Sequence, residues 1–186
     1  MNMDTARHTR IFRHPFYEGR KDSRTLLYTA ASHHTGLSTA ELGPVEAGPK
    51  GKPYFAQLPA LHFSVTHSAN WWMCAFSSIP VGLDLQIHRS FYNPSALSRR
   101  FLHPREEAFL AQHEHHNFFD MWAAKESWIK YTGNGFYDVL STFCLVSPEG
   151  DFPALHGVEF RLLPFAPEYS LCLCAKKIDQ VELVAL

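Results

Sequence analysis

Asp84, Glu126 and a handful of basic residues are the groups in this chain whose types and spacing could do chemistry. In "VGLDLQIH" (81–88), Val81, Leu83, Leu85 and Ile87 alternate with Gly82, Asp84, Gln86 and His88, the period of a β-strand. Asp84 and Gln86 then leave one face about 7 Å apart. In "NFFDMWAAKESWIKYTG" (117–133), Lys125, Glu126 and Lys130 interrupt a helix that is apolar on more than one side. Isolated charges on such a helix are costly, so they need partners. Two arrangements fit the spacing equally. Glu126 and Lys130 pair at i, i+4 on the surface, or Glu126 faces Asp84 across a cleft and the two carboxylates hold a hard divalent cation. Magnesium suits the second, since it takes few protein carboxylates and fills its shell with water and phosphate oxygens. The strand by itself also fits an ordinary half-exposed surface with a polar outer face.

Anions have their own candidates. "PKGKPYF" sets Lys50, Gly51, Lys52 and Pro53 in a loop where backbone and ammonium can both approach a phosphate. Thr66 and His67 end the strand "LHFSVTH", and Arg24 begins an early helix whose N-terminus favours negative charge. Taken singly, each also fits a solvated residue.

The elements that must position these groups follow from pattern. "DSRTLLYTAAS" (22–32) reads as a helix with Asp22 or Ser23 as N-cap, and "TGLSTAELGPVEAGPKGKPYF" as loop. "LHFSVTH", "WWMCAFSS" and "VGLDLQIH" are three strands. "RSFYNPSALSRRF" reads as irregular. "HPREEAFLAQH" is a short helix with Pro104 near its first position, and the longer helix follows between Asn117 and Gly133. "STFCLV", "VEFRLL" and "YSLCLCAK" read as strands. The reading is an α+β chain of two halves, 1–90 and 91–186, each a helix followed by about three strands. The element order repeats without a sequence repeat, which predicts a pseudo-symmetric arrangement.

Composition narrows the classes. The 186 residues, 46% apolar and 14% aromatic, can bury a sizeable core. With 17 basic against 18 acidic residues, no global field points to nucleic acid or a membrane surface. No apolar run approaches the roughly 18 residues of a membrane span, and the start lacks the apolar core of a signal peptide. Cys74, Cys144, Cys172 and Cys174 sit in apolar segments without C-x-x-C spacing, which fits free thiols in a reducing cytoplasm. The histidines of "SHH" and "HEHH" lie in polar segments and read as solvated rather than metal-ligating.

The ordered blocks "GKPYF", "FSVTHSANWWMCAF", "VGLDLQ" and "WAAKESWIKYTGNGF" together resemble the 4′-phosphopantetheinyl transferases of the Sfp type, over about residues 24 to 146. That family carries a G-K-P loop, an S-H strand end, G-[IL]-D-[IL]-E and W-x-x-K-E-[SA]-x-x-K. The resemblance implies two similar α+β halves about a pseudo-twofold axis, with coenzyme A in the cleft between them. It implies magnesium-dependent transfer of the phosphopantetheine arm to a serine of an apo acyl or peptidyl carrier protein, with release of adenosine 3′,5′-bisphosphate. Asp84, Glu126 and Gln86 fall at the metal positions, and Lys125 beside the glutamate. Glu126 is implied as the base, with Lys130 near the pyrophosphate and His67 assisting where charge grows. Arg24, Lys52, His67 and Lys130 match coenzyme A contacts, and Lys50, Gly51, Pro53 and Thr66 go with them as the surrounding loop and strand end. A cytoplasmic monomer is expected.

Two residues depart from the family pattern. Gln86 stands where the family has an anionic ligand, and Thr66 where it has serine. The chain is also short for the type, which would remove some nucleotide contacts. The segment 89–101, with Phe91, Tyr92, Arg89, Arg99 and Arg100, is expected to dock an acidic carrier. Rival readings are a coenzyme A-binding protein without catalysis, a metal-dependent phosphohydrolase and a carrier-binding module.

Overall fold

The computed structural model describes residues 8–17, 19, 22–90, 93–133 and 140–186. Its elements run β1 (His8–Pro15), α1 (Ser23–Thr35), α2 (Thr39–Leu42), β2 (Val45–Ala47), β3 (Pro53–Phe55), β4 (His62–Ser68), β5 (Trp71–Ser77) and β6 (Val81–Ile87). Then come α3 (Pro94–Phe101), α4 (Pro104–Gln112), α5 (Phe118–Thr132), β7 (Glu159–Leu163), β8 (Tyr169–Ala175) and β9 (Gln180–Ala185). The α+β content matches the sequence reading.

Two sheets carry the architecture. One has the order β4-β5-β1-β9, with β9 parallel to β1 and the other pairs antiparallel; the second is antiparallel, β6-β8-β7. Strand pairing crosses residue 90 in both directions. β6 pairs with β8, and the last strand pairs with the first.

Period-2 alternation sorts the layers. Phe12, Phe63, Trp72 and Phe76 face Leu26, Leu27 and Ala30 of α1. Ile11, Met73 and Ala75, from the other face of that sheet, pack on Leu83, Leu85, Leu171 and Leu173 of the second. The far face of the second sheet meets α5, where Cys172 packs among Met121 and Ala124. The face carrying Asp84 is therefore covered by a helix, not half-exposed.

The helix sits unusually close. A β-carbon at Gly82 would stand 1.9 Å from the Ser127 carbonyl oxygen and 2.5 Å from the Tyr131 nitrogen. Only glycine lets the α5 backbone rest directly on β6 there. Gly133, left-handed at φ 70°, ends α5 and donates its N–H to Ile129.

Several elements differ from the sequence reading. The "irregular" stretch contains α3, started by Asn93, which accepts from the Ala96 N–H, and by Pro94 in the first turn. The expected loop before β4 holds α2, with a Ser38–Glu41 capping box, and the β2–β3 hairpin. β1 and β9 had no counterpart in the pattern. "STFCLV" is not a strand: it is a 3-10 turn (Leu140–Thr142) followed by irregular chain. Its backbone is satisfied otherwise, since Phe143 O accepts from Lys125 and Leu145 N–H donates to Glu106.

Candidate active site

Asp84 is 3% exposed at the centre of β6. Three donors hold its carboxylate. Thr66 Oγ1 (3.1 Å) and Lys130 Nζ (2.6 Å) meet Oδ1, and Gln86 Nε2 (2.7 Å) meets Oδ2. That leaves Oδ2 with one acceptor position.

Strand β4 supplies the neutral donor through an arrangement that also joins the two sheets. Ser64, Thr66 and Ser68 point at β6 and accept the N–H groups of Leu83 (3.0 Å), Leu85 (3.2 Å) and Ile87 (3.0 Å). The hydroxyls thus satisfy the strand edge that β8 does not pair. Thr66, the middle rung, both accepts from Leu85 and donates to Asp84, so its hydroxyl is committed to the protein.

Glu126 lies on α5, one turn before Lys130, and is 8% exposed. Burial pushes its carboxyl up to about 7, the charge of Asp84 adds to the rise, and Lys130 opposes it. The two carboxylates therefore sense each other. Lys130 pairs with Asp84 across the elements. Among the described residues, no group of three or more His, Cys, Asp or Glu converges as a metal cluster. The potential donor set is two carboxylates, with Gln86 alongside in the neutral role of a donor to Asp84. A magnesium ion, which binds through one or two carboxylates and completes its shell from water and phosphate, fits that set.

A cavity of about 360 Å³ opens beside Glu126 and Lys130 and is lined also by Lys50, Gly51, Lys52 and Pro53. Lys50 is exposed; Lys52 is half-buried, with its ammonium turned to Val81 O (2.8 Å) and Tyr131 O (3.0 Å). Burial lowers its pKa to about 8. The same strand that lines this cavity through Phe63, Ser64 and Val65 lines a second one, about 320 Å³, through His67 and Ser68. Phe16, Ser23 and Arg89 complete the second, and His67 stands against the Phe16 ring at 5.3 Å. Arg24 is exposed in the first turn of α1, next to Ser23, whose hydroxyl accepts from Trp72 Nε1 at 2.9 Å. Asp84, Glu126, Lys130, Gln86 and Thr66 thus form one cluster. His67 lines the second cavity, and Arg24 is not among its lining residues.

Lys125 belongs to neither cavity. Its side chain is fully buried, with Nζ 2.7 and 2.6 Å from the two Glu106 oxygens and 2.8 Å from Phe143 O. Of the docking segment, Phe91 and Tyr92 lie outside the described residues, as do residues 134–136 at the end of the helix block. Arg99 and Arg100 are exposed in the last turn of α3.

The model of the 4′-phosphopantetheinyl transferase superfamily matches residues 80–177. A 4′-phosphopantetheinyl transferase of Bacillus subtilis is 32% identical over 179 residues, covering 88% of this chain and 79% of that protein. The chain belongs to the 4′-phosphopantetheinyl transferase superfamily. Sfp of Bacillus subtilis (strain 168) is 29% identical over 143 residues, or 69% of this chain and 61% of Sfp. Psf-1 of Bacillus pumilus is 29% identical over 150 residues, 73% and 62% of the respective chains. The chain thus spans less than two thirds of the last two relatives. The superfamily match contains Asp84, Gln86, Lys125, Glu126 and Lys130, while Arg24, Lys50–Pro53, Thr66 and His67 precede it.

Sequence reasoning missed what holds this superfamily site in place. The S-x-T-x-S alternation of β4 was visible, but not that it meets L-x-L-x-I of β6 rung for rung. Glu106, the partner of Lys125, sits 19 residues earlier at a helix start. The E of "HPREE" after a capping residue was its only local signal.

Proposed function

We propose that this chain transfers the 4′-phosphopantetheine arm of coenzyme A to a serine of an apo acyl or peptidyl carrier protein, releasing adenosine 3′,5′-bisphosphate. The observation that carries the proposal is that Lys130, ion-paired to the buried Asp84, lines a cavity together with Glu126, in a chain of this superfamily. The pseudo-twofold relation of two halves, with the substrate between them, belongs to the same proposal.

Glu126 is suited to a base. Its carboxyl, raised to about 7, is ionised in a substantial fraction at neutral pH and holds a proton well. In the proposed step the carrier serine gives its proton to Glu126 and its oxygen bonds to the phosphorus bearing the pantetheine. The bond from that phosphorus to the bridging oxygen breaks, and the electron pair leaves with the bisphosphate. Lys130, held at Asp84, places a positive charge at the reacting phosphates. His67, Ser23 and Arg89 line the second cavity, a place for the nucleotide phosphates near the N-terminus of α1, where the exposed Arg24 follows Ser23. Magnesium held by Asp84 and Glu126 would neutralise pyrophosphate charge. Gln86 orients Asp84 by its amide donor. The exposed Arg99 and Arg100 suit an acidic carrier docked over residues 89–101.

No helix among the described residues is long and apolar enough to cross a membrane. A cytoplasmic monomer is the form proposed.

The test incubates the protein with coenzyme A, magnesium and a panel of apo acyl and peptidyl carriers, followed by intact mass. One phosphopantetheine added per carrier serine, with equimolar adenosine 3′,5′-bisphosphate, is the expected result. Free phosphate without carrier modification would indicate a hydrolase. Binding of carrier with neither product would leave a binding module.

A further inference from the structure

Lys52 differs from Lys130, the cavity lysine that meets Asp84, in what its ammonium touches. Nζ donates to Val81 O, at the start of β6, and to Tyr131 O, one residue before the end of α5. Tyr131 O is among the last four carbonyls of the helix, which have no partner within it. A cation placed there satisfies such a carbonyl and sits at the negative end of the helix dipole. The aliphatic stem is fixed as well: a β-carbon on Gly133 would stand 3.1 Å from Lys52 Cβ. The backbone at residue 52 is pinned by the turn between β2 and β3, where Gly48 N–H donates to Lys52 O at 2.9 Å and Gly51 N–H to Gly48 O at 2.8 Å. One side chain therefore joins the hairpin turn, the start of β6 and the end of α5.

We propose that Lys52 is a positioning residue that caps the C-terminus of α5 and clamps this helix, with Glu126 and Lys130 on it, to β6 and the β2–β3 hairpin, rather than a ligand of the coenzyme A phosphates. The geometry explains why a lysine in a glycine- and proline-rich loop is half-buried instead of reaching into water. It also separates the two lysines of the loop. Lys50 is exposed, while Lys52, though it lines the cavity, turns its ammonium to the backbone carbonyls of Val81 and Tyr131. Its effect on turnover rests on the transferase reading above; the clamp itself does not.

The experiment compares the full-length chain with Lys52→Met, which keeps the stem against Gly133 and removes the donors. Hydrogen–deuterium exchange of the ligand-free proteins over residues 126–133 is the first readout. The clamp predicts at least tenfold faster exchange in the last turn of α5, and recovery in Lys52→Arg, which keeps donors at that reach. Calorimetric affinity for adenosine 3′,5′-bisphosphate is the second, expected to stay within threefold. In the carrier assay, kcat should fall more than KM for coenzyme A rises. Failure of Lys52→Met to fold while Lys52→Arg folds supports the clamp, because a phosphate ligand is not needed for folding. Unchanged exchange in Lys52→Met overturns it, and a tenfold loss of bisphosphate affinity would return Lys52 to the phosphate ligands. If wild-type protein modifies no carrier, the transferase reading fails, and the exchange result still decides the clamp.

Discussion

Lys125→Met offers the sharpest separation of scaffold from chemistry, because Lys125 stands next to Glu126 in sequence and apart from it in space. Both Lys125 and Glu106 side chains have no exposed surface. The Glu106 carboxylate receives Lys125 twice, Leu145 N–H at 2.7 Å and His103 N–H at 3.0 Å. Burial pulls the Lys125 pKa down, and the charge of Glu106 holds it up against that pull. Removing the ammonium leaves a buried carboxylate without its counter-ion, a change that costs about 3–5 kcal/mol when one partner of a buried pair is lost. At about 2–4 °C per kcal/mol for a chain of this size, the midpoint of thermal unfolding should fall by roughly 6–20 °C. Adding Glu106→Gln removes the stranded charge and keeps a carbonyl for Leu145 N–H, so the double variant should regain part of the loss. The assay is urea unfolding of wild type, both single variants and the double variant, with carrier modification measured well below the lowered midpoint. Lys125→Met that remains folded should keep turnover within a few-fold. Stability within about 0.5 kcal/mol of wild type together with a hundredfold loss of turnover would refute the reasoning and place Lys125 at the reacting phosphates.

Gly82→Ala should destabilise by about 3 kcal/mol or more, since the new methyl meets α5 backbone that cannot rotate away; an unchanged urea midpoint would contradict the direct seat of α5 on β6. Glu126 binds a proton in the folded chain up to about pH 7 but only to its ordinary value, 4.5, when unfolded. The stability from that proton is thus complete below pH 4.5 and lost as pH rises to about 7. Glu126→Gln should flatten this slope in urea titrations with chelator present, be more stable than wild type at high pH, and lose transfer by about a hundredfold or more. Thr66→Val should cost about 1–3 kcal/mol by orphaning Leu85 N–H and raise the magnesium needed for half-maximal rate, with Thr66→Ser restoring both; no change in the magnesium requirement would remove Thr66 from the support of Asp84. Gln86→Glu should lower the ligand-free melting temperature, because a donor to Asp84 becomes a like charge, and lower the half-saturating magnesium concentration; a higher magnesium requirement would refute this.

How much of this was legible in the sequence depended on whether the partner was local. The alternation in "VGLDLQIH" located β6 and its core face, and the apolar stripe of 117–133 located α5 between the expected ends. Asn117, however, makes no side-chain cap bond. What pattern could not supply was the identity of the surface over Asp84. A polar face on a strand looks the same whether water or a helix covers it, and Gly82 was the one residue that marked the close approach. "STFCLV" failed for the opposite reason. Its β-forming composition is overridden by a buried ion pair contributed from α4 and α5. β1 pairs on both sides, antiparallel to β5 and parallel to β9, and its partner β9 comes from the other end of the chain. Neither strand had a local neighbour to announce it.

The glutamine at position 86 follows from the charge balance of the cluster. Asp84 is buried and takes a lysine at 2.6 Å on one oxygen. Glu126, beside it, is raised toward neutrality by burial and by that same carboxylate. With Lys52 engaged at backbone carbonyls, Lys130 is the cation that directly offsets Asp84. A third carboxylate at 86 would stand 2.7 Å from Asp84, where the amide now donates, and only further positive charge could make that contact favourable. Gln86 therefore lets the acidic cluster hold its geometry before any substrate arrives. Under the proposed transferase function, a recruited cation would then be held in larger part by the phosphates of coenzyme A than by the protein. On that proposal, metal and substrate binding would be coupled in this chain more tightly than where a glutamate occupies the same strand position.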